Sequence, residues 1–252
     1  MTSARSPEVA RAAARVRREL GLRAATRDQP ALRAYLGSPI RVAGVRTPHL
    51  HAVVRAAARW ATERPATEAR ALARALWSGT WLEERFVAIE LLGRRPLLRD
   101  PATWRLGAGW VDRATGWALS DSLASGPIAA LAAARPERFR ELVAWTRSKN
   151  LWRRRAAAYA LRGWVRAGEF DRPFELLEQL LDDRERWVQR AVGTWLRECW
   201  KKDRVRTERF LRTEVGRLAP TVITVATERA TKRFRNELRR ATGRRATPGR
   251  GY

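Results

Sequence analysis

The sequence predicts an all-α protein built as a curved solenoid of stacked helix pairs. Apolar residues recur with the spacing of a helix along most of the chain, and no segment convincingly alternates as a strand does. Short breaks at Gly, Pro or Asp separate the helical segments. One helical segment is also echoed later in the chain, which is typical of repeat arrays.

Most of the helices are predicted from a start signal, which is a capping side chain or a proline in the first turn, and several from a glycine that stops them. The β-branched segment PTVITVAT is interpreted as helix because strong helix formers follow it. The predicted helices run from Pro7 to Gly21, from Thr47 through Trp60, over RFVAIELL between a capping box of Thr80 with Glu83 and Gly93, after an Asn150 cap to Gly168, over FELLEQLL from Pro173, from Trp187 to about Lys201, and from Pro220 to about Arg239.

The echo aligns residues 155–162 with residues 190–197, an offset of 35 residues. Two such steps earlier lies Arg85, followed by apolar residues in the same register. A period of this size suits tetratricopeptide, HEAT or armadillo arrays, so the predicted fold is a HEAT-like or armadillo-like solenoid. The inner helices of such an array line a concave surface. The intermediate register falls on residues 120–122, where an acid, Asp121, interrupts the pattern.

The domain organisation predicted is one helical-repeat domain over residues 1–239, followed by a basic tail over residues 240–252. The tail is rich in Gly and Arg, a composition that cannot bury an apolar core. We therefore expect it to be disordered.

The charge of the chain points to a polyanionic partner. Its 252 residues include 52 Lys plus Arg against 26 Asp plus Glu, a formal net charge of +26. Arginine suits bidentate contact with phosphate, so nucleic acid is the expected partner, although a base composition that inflates Arg throughout a genome would give part of this excess. No apolar run approaches the ~18 residues that span a bilayer, and no lipidation signal is present, so no membrane is expected.

The few cysteines and histidines limit the chemistry. A single cysteine, Cys199, allows no internal disulfide, and two histidines, His49 and His51, are too few for a Cys/His zinc site. We expect no metal and no cofactor. The N-terminal segment is too charged for a secretory signal, so we expect a cytoplasmic, nucleoid-associated monomer.

Trp117 and Asp121 are the first candidate pair for chemistry. They lie four residues apart, so on a helix they share one face. An acid inside the apolar stretch WALSDSLA is costly to bury without a partner, so Asp121 either faces a cleft or is ion-paired. A tryptophan alone is more often part of a core, and both readings of the pair stay open at this point.

A second set of candidates combines indoles with arginines. Trp152 and Arg155 share a face of the next inner helix, and Trp195 lies in the following repeat with Arg190 and Arg197 nearby. Stacked aromatic rings with arginines suit nucleic-acid binding, whereas the run of arginines at 153–155 alone would be typical of a solvated helix face.

With these segments in order, the chain resembles the HEAT-repeat DNA alkylation-repair glycosylases of the AlkC/AlkD kind, and is closer to AlkD. The resemblance covers roughly residues 35–226 and rests on the order and spacing of several segments. They are YLGSPIRVAGVRTP, RFVAIELL, the W-x-x-x-D of Trp117 and Asp121, NLWRRRAA and AVGTWLRE.

The resemblance implies the roles of the site residues. In that family an aspartate lies in the cleft with a tryptophan four residues before it, and an arginine follows on the next inner helix. These positions carry over to Asp121, Trp117 and Arg155. Arg46 and Thr47, in the first segment, join Trp152, Trp195, Arg190 and Arg197 as expected DNA-binding residues. A second cleft tryptophan of the family falls here on Thr194, with Trp195 one residue later, and such a shift turns a helical side chain by about 100 degrees.

The function predicted is therefore a DNA glycosylase of base-excision repair. It would hydrolyse the N-glycosidic bond of cationic alkylated purines, 3-methyladenine and 7-methylguanine, in double-stranded DNA. Asp121 would stabilise the oxocarbenium-like sugar, Trp117 would face the cationic nucleotide, and Arg155 would hold a phosphate. Two alternatives stay open: a non-catalytic repeat protein that binds nucleic acid, and a protein-binding helical scaffold.

Overall fold

The structure is a computed structural model that describes residues 6–25, 29–94 and 96–245 of the chain. Within these residues it is all-α and contains no strand, only an isolated bridge between Arg41 and Trp81. The predicted fold class is confirmed, including the helical interpretation of PTVITVAT, which forms a helix over Pro220–Ala226. The chain divides into two compact units, Met1–Ala134 and Arg135–Tyr252, while the single domain over 1–239 stays a prediction.

The first unit consists of eight α-helices within its described residues, with a π-helical turn over Ala124–Ile128 between the last two. They are α1 (Pro7–Gly21), α2 (Pro30–Tyr35), α3 (Thr47–Thr62), α4 (Ala66–Trp77), α5 (Leu82–Leu92), α6 (Pro101–Val111), α7 (Trp117–Leu123) and α8 (Ala129–Ala133). Helices α4 and α5 pack against each other, and α1 and α3 cover them. Leucines of α4 and α5 fill this interface, because Leu72, Leu76 and Leu91 are buried.

The start of α5 differs from the predicted capping box of Thr80 with Glu83. The helix begins at Leu82, so Glu84 is its third residue, and its Oε1 accepts the backbone N–H groups of Thr80 at 3.1 Å and Trp81 at 3.3 Å. The box was therefore predicted one residue early. Glu83 is buried and has a different role, described with the candidate site.

The second unit also consists of eight α-helices within its described residues. They are α9 (Phe139–Trp145), α10 (Leu151–Tyr159), α11 (Arg162–Ala167), α12 (Asp171–Glu178), α13 (Arg186–Lys202), α14 (Arg204–Thr213), α15 (Pro220–Ala226) and α16 (Lys232–Arg245). Helix α13 is the centre of the unit and packs against both α10 and α15. The approach to α15 is close, because a Cβ added at Gly193 would lie 2.7 Å from Val225 Cβ.

Two helices predicted as continuous are each divided in the structure. The segment after Asn150 forms α10 and α11, although the cap itself is confirmed, since Asn150 Oδ1 accepts the N–H of Trp152 at 2.9 Å. The segment from Pro220 breaks after Ala226, where the hydroxyl of Thr227 bonds back to the carbonyl of Ile223. Thr231 then starts α16 by accepting the N–H of Phe234. Because a threonine hydroxyl competes with the helical backbone, it favours such breaks.

The last helix continues to Arg245, which is beyond the predicted helix end near Arg239 and includes the first part of the predicted tail. The rest of that tail, residues 246–252, lies outside the described residues.

The 35-residue echo corresponds to a repeated packing pattern. The first copy covers the second half of α10 and the turn into α11, and the second copy lies on α13, which packs against α10. The small and apolar positions of both copies are buried, at Ala156 and Leu161 in the first and at Ala191 and Leu196 in the second. The residues that repeat in the echo are therefore those that pack into the core of the second unit.

Candidate active site

Helix α7 is the element that carries Trp117 and Asp121, and its start is fixed by two glycines. Gly116 precedes the helix with φ of 84°, and Gly37 has φ of 63°. A Cβ added at Gly116 would lie 2.0 Å from the carbonyl oxygen of Gly37, so only glycine permits this approach. The segment after α2 is thereby held against the first residue of α7.

Trp117 is bonded to the end of α2 through its side chain. Its Nε1 donates a hydrogen bond to the carbonyl oxygen of Tyr35 at 2.8 Å. The two rings meet edge to face, with centroids 5.5 Å apart and planes at 86°. Tyr35 is 70% exposed, and Trp117 is half-buried. The indole is therefore held by the protein on one side and still reaches the surface.

Asp121 lies one turn after Trp117 on α7 and is half-buried. Its backbone carbonyl accepts the hydroxyl of Ser125 at 2.7 Å. Directly after α7 the chain makes the π-helical turn, in which Gly126 has φ of −94° and ψ of −106° and Pro127 has no N–H to donate. π-Helical turns inside helices frequently mark functional positions.

Arg155 lies in the second unit and is only 4% exposed. Its Nη1 donates to the backbone carbonyl of Trp187, and its Nη2 donates to the hydroxyl of Tyr159 at 3.2 Å. The guanidinium carbon also lies 4.9 Å from the centroid of the Tyr159 ring and 5.7 Å from that of Trp187. In this structure Arg155 joins α10 to the start of α13, and its contact with a phosphate stays a prediction.

Trp195 is only 6% exposed and packs its ring edge to face against Tyr159, with centroids 5.8 Å apart. Its Nε1 is buried and has no hydrogen-bond partner among the described residues. Thr194, which stands in the register of the family's second cleft tryptophan, is half-buried and donates its hydroxyl to the carbonyl of Arg190. In this structure the indole of Trp195 therefore lies in the core of the second unit.

Trp152 is half-buried at the start of α10 and lies beside Trp187, with ring centroids 6.1 Å apart. Together Trp152, Arg155, Tyr159, Trp187 and Trp195 form one continuous arginine–aromatic cluster on α10 and α13. Three of the predicted site residues are thus brought together in the second unit. Trp117 and Asp121 belong to the first unit, so the concave face expected to carry them together with Arg155 and Trp195 stays a prediction.

Arg190 and Arg197 differ in their availability to a partner. Arg190 is exposed and forms no ion pair with another described residue. Arg197 is half-buried and is paired with Glu228 and with Glu198. Of the two, Arg190 is therefore the one that can bind an anion without breaking an ion pair within the chain.

Arg46 and Thr47 are exposed at the start of α3, and a buried acid fixes the segment before them. The carboxylate of Glu83 accepts the backbone N–H groups of Ala43 at 3.0 Å, Gly44 at 2.8 Å and Val45 at 3.3 Å. Three such bonds to one carboxylate hold an otherwise irregular segment in place. Glu83 therefore holds the segment that leads into the predicted DNA-binding residues Arg46 and Thr47.

Comparison with known proteins identifies the family of this chain. A sequence model of the family described as DNA alkylation repair enzyme matches residues 16–230. The chain belongs to the DNA alkylation repair enzyme family. The match includes α7, the arginine–aromatic cluster and the segment held by Glu83, so every predicted site residue of this family member lies within it. No curated protein matches the chain.

Solved structures similar to this family member support its fold. A protein described as a predicted DNA alkylation repair enzyme from Enterococcus faecalis superposes with a TM-score of 0.71 at 18% identity, over 81% of this chain and 94% of that one. The smu.31 protein of Streptococcus mutans UA159 superposes with a TM-score of 0.57 at 18% identity, over 73% of this chain and 98% of that one. AlkD2 from Streptococcus mutans superposes with a TM-score of 0.56 at 19% identity, over 69% of this chain and 89% of that one.

Several residues that surround the predicted site residues were not predicted from the sequence of this chain. Tyr35 and Tyr159 each connect a predicted residue to its surroundings, and Glu83 was assigned to the wrong role. Trp187 could have been found from the sequence, because it follows Trp152 at the 35-residue offset of the echo.

No helix in the described part of the chain is both long and apolar enough to cross a membrane.

Proposed function

We propose that this protein is a DNA glycosylase that hydrolyses the N-glycosidic bond of cationic alkylated purines, such as 3-methyladenine and 7-methylguanine, in double-stranded DNA. The observation that carries the proposal is the pair of Trp117 and Asp121 on one face of α7. Their helix starts at a backbone approach that only glycine permits, and the indole is hydrogen-bonded in place. This is a pre-organised arrangement of an acid and an electron-rich ring.

The chemistry requires stabilisation of positive charge rather than acid catalysis. An alkylated purine is already cationic, so when its bond to C1′ breaks the electron pair leaves with the base, which departs neutral. The sugar becomes an oxocarbenium-like cation, as in glycoside hydrolysis. Asp121 stabilises that cation and orients a water, whose oxygen bonds to C1′ while its second proton passes to solvent. Trp117 offers its ring face to the cationic nucleotide.

Binding of the duplex is assigned to the arginines. The net charge of +26 favours a polyanion, and contacts to phosphate hold DNA without reading its sequence. Arg190, Arg46 and Thr47 are exposed and are the predicted contacts best placed for this role. Undamaged duplex is expected to bind with little sequence preference and a steep dependence on salt, with a log–log slope of about −0.9 for each phosphate contact.

The test is release of 3-methyladenine and 7-methylguanine from methylated duplex DNA, measured by chromatography. Asp121→Asn is nearly isosteric and removes the charge, so base release should fall by about 10²–10³ while duplex affinity stays equal or rises slightly. Asp112→Asn is the matched control, since it makes the same change at an exposed aspartate of the same unit and should retain full activity. Normal excision by Asp121→Asn would remove the central residue of the proposal.

A second candidate is a non-catalytic protein that binds DNA. Burial of Trp195, together with Thr194 in the register of the second cleft tryptophan, favours it, because one aromatic wall expected for the family is then absent from the surface. This candidate keeps the salt-dependent binding and gives no base release from the unmodified protein. The same chromatographic assay therefore distinguishes the two candidates.

A further inference from the structure

Trp187 is an indole at the surface that the proposed excision chemistry does not use. It is 40% exposed, although a side chain of this size normally buries most of its area. It is the second residue of α13, as Trp152 is the second residue of α10, and the two indoles are separated by the same offset as the two copies of the echo. Trp152 is half-buried, and the planes of the two rings are tilted by 41°.

Arg155 braces Trp187 from within the unit. The guanidinium bonds to the carbonyl of Trp187 and also lies 5.7 Å from the centroid of its ring. Arg155 is in turn bonded to the hydroxyl of Tyr159, and it is nearly fully buried. The exposed indole therefore has a fixed backbone and a supported ring, so binding a flat ligand on it would cost little conformational entropy.

The surroundings of Trp187 are positively charged. Arg184, Arg186 and Arg190 are all exposed and form no ion pair with another described residue. Glu185 is the single acid between residues 184 and 190. The acids just before it are already engaged, Asp183 with Arg154 at 2.6 Å and Asp182 with Arg217 at 2.7 Å. A ligand for this patch therefore combines a flat ring with negative charge.

We propose that Trp187 is a stacking platform for an unpaired nucleobase of a DNA strand, with Arg184, Arg186 and Arg190 contacting the phosphates on either side of that nucleotide. The inference rests on the proposed function, because it takes DNA as the partner. Stacking of a base on an aromatic side chain is tolerant of sequence, since every base has a π face. The platform would thus distinguish an unpaired base from a fully paired duplex, independently of bond cleavage at Asp121.

The test uses the full chain and two duplexes that differ in one nucleotide. One is fully paired, and the other has a single unpaired 2-aminopurine, whose fluorescence falls when it stacks. The wild type should bind the bulged duplex more tightly and quench its fluorescence. Trp187→Ala should abolish the quenching and weaken binding to the bulged duplex by about 10-fold to 100-fold, with the paired duplex changed less than about 2-fold.

Two further variants keep the result interpretable. Trp187→Phe retains a ring and should keep most of the quenching, whereas Trp187→Leu retains apolar bulk and should lose it. Val205→Ala changes another highly exposed apolar residue, on α14, and should behave as the wild type. Arg190→Ala should weaken binding to both duplexes and reduce the salt slope by about one.

The outcomes separate this inference from the proposed function. Quenching that persists in Trp187→Ala and Trp187→Leu would overturn the platform, while base release by the wild type would still support the glycosylase. An equal loss of affinity for paired and bulged duplexes in Trp187→Leu would also overturn it, because the residue would then contribute to general binding. A wild type that quenches the bulged duplex but releases no base would support the platform and contradict the glycosylase.

Discussion

The Nε1 of Trp117 donates a hydrogen bond to the backbone carbonyl of Tyr35 at 2.8 Å, joining the start of α7 to a residue 82 positions earlier. This bond orients the indole that shares a helix face with Asp121. Because the acceptor is a backbone atom of the last residue of α2, the bond depends on where the end of α2 lies and not on the tyrosine ring. This distinction can be tested by mutation.

Trp117→Phe removes the donor and keeps an aromatic ring. The unpaired carbonyl of Tyr35 should lower the free energy of unfolding by about 1 kcal/mol, and the less constrained ring should reduce base release more than duplex affinity. Tyr35→Phe is the control, because it keeps both the carbonyl and the ring. Urea unfolding and excision kinetics measure the two effects. Equal losses in the two variants would mean that the tyrosine hydroxyl matters, contrary to this geometry.

Gly116→Ala tests the backbone approach that starts α7. The positive φ of 84° and the short distance from a Cβ to the carbonyl oxygen of Gly37 should together lower the free energy of unfolding by about 2–4 kcal/mol. Gly21→Ala is the matched control, since its Cβ would meet nothing within 4 Å at the end of α1. It should be neutral or stabilise by up to about 1 kcal/mol. Similar free energies of unfolding for the two variants would contradict the close approach of Gly116 to Gly37.

Arg155→Ala and Arg190→Ala compare two arginines that occupy the same position of the echo. Arg155→Ala leaves the carbonyl of Trp187 without this donor and should lower the free energy of unfolding by about 1–3 kcal/mol. Arg190→Ala, at an exposed site, should change it by less than about 0.5 kcal/mol.

Salt titrations of duplex binding then separate the two roles. Arg190→Ala should reduce the log–log slope by about 0.9, as expected for the loss of one phosphate contact. An unchanged slope in Arg155→Ala would show that its buried guanidinium serves the packing of α10 on α13, and would contradict the phosphate contact that the family resemblance implies. A reduced slope in a stable Arg155→Ala protein would instead support the phosphate contact that the family resemblance implies for this residue.

Cys199 provides a measure of folding for all of these variants. It lies buried in α13, and burial raises the pKa of its thiol from 9.0 to about 12. The thiolate is the reactive form, so the folded protein should not react with a disulfide reagent at pH 8, whereas the urea-unfolded chain should react at once. Rapid reaction in native buffer would contradict the burial.

The raised pKa of Cys199 also predicts a dependence of stability on alkaline pH. The unfolded thiol ionises near its ordinary pKa of 9.0, while the folded thiol stays neutral until about 12. The contribution of the neutral Cys199 thiol to the free energy of unfolding is therefore fully present below pH 9 and is lost as pH rises toward 12. In Cys199→Ala, the free energy of unfolding should depend less steeply on pH between 9 and 12 than it does in the wild type. Parallel curves for the two proteins would show that the thiol is not responsible.

The sequence by itself determined the helical class and the starting points of several helices, among them α1, α3, α10 and α15. These follow from local chemistry, such as the Asn150 cap, the proline in the first turn of α1 and the apolar spacing that buries one face of helices such as α1 and α13. It also determined that Trp117 and Asp121 share a helix face, since residues four apart on a helix always do.

Only the tertiary structure decided the surroundings of those side chains. Arg155 and Arg190 are equivalent in the sequence echo, yet one is buried beneath Trp187 and the other is exposed. Burial depends on which element packs above a residue, and local spacing does not contain that information. For the same reason Glu83 could not be recognised as the anchor of residues 43–45, because the N–H groups it accepts are about 40 residues away in the chain and become its partners only on folding.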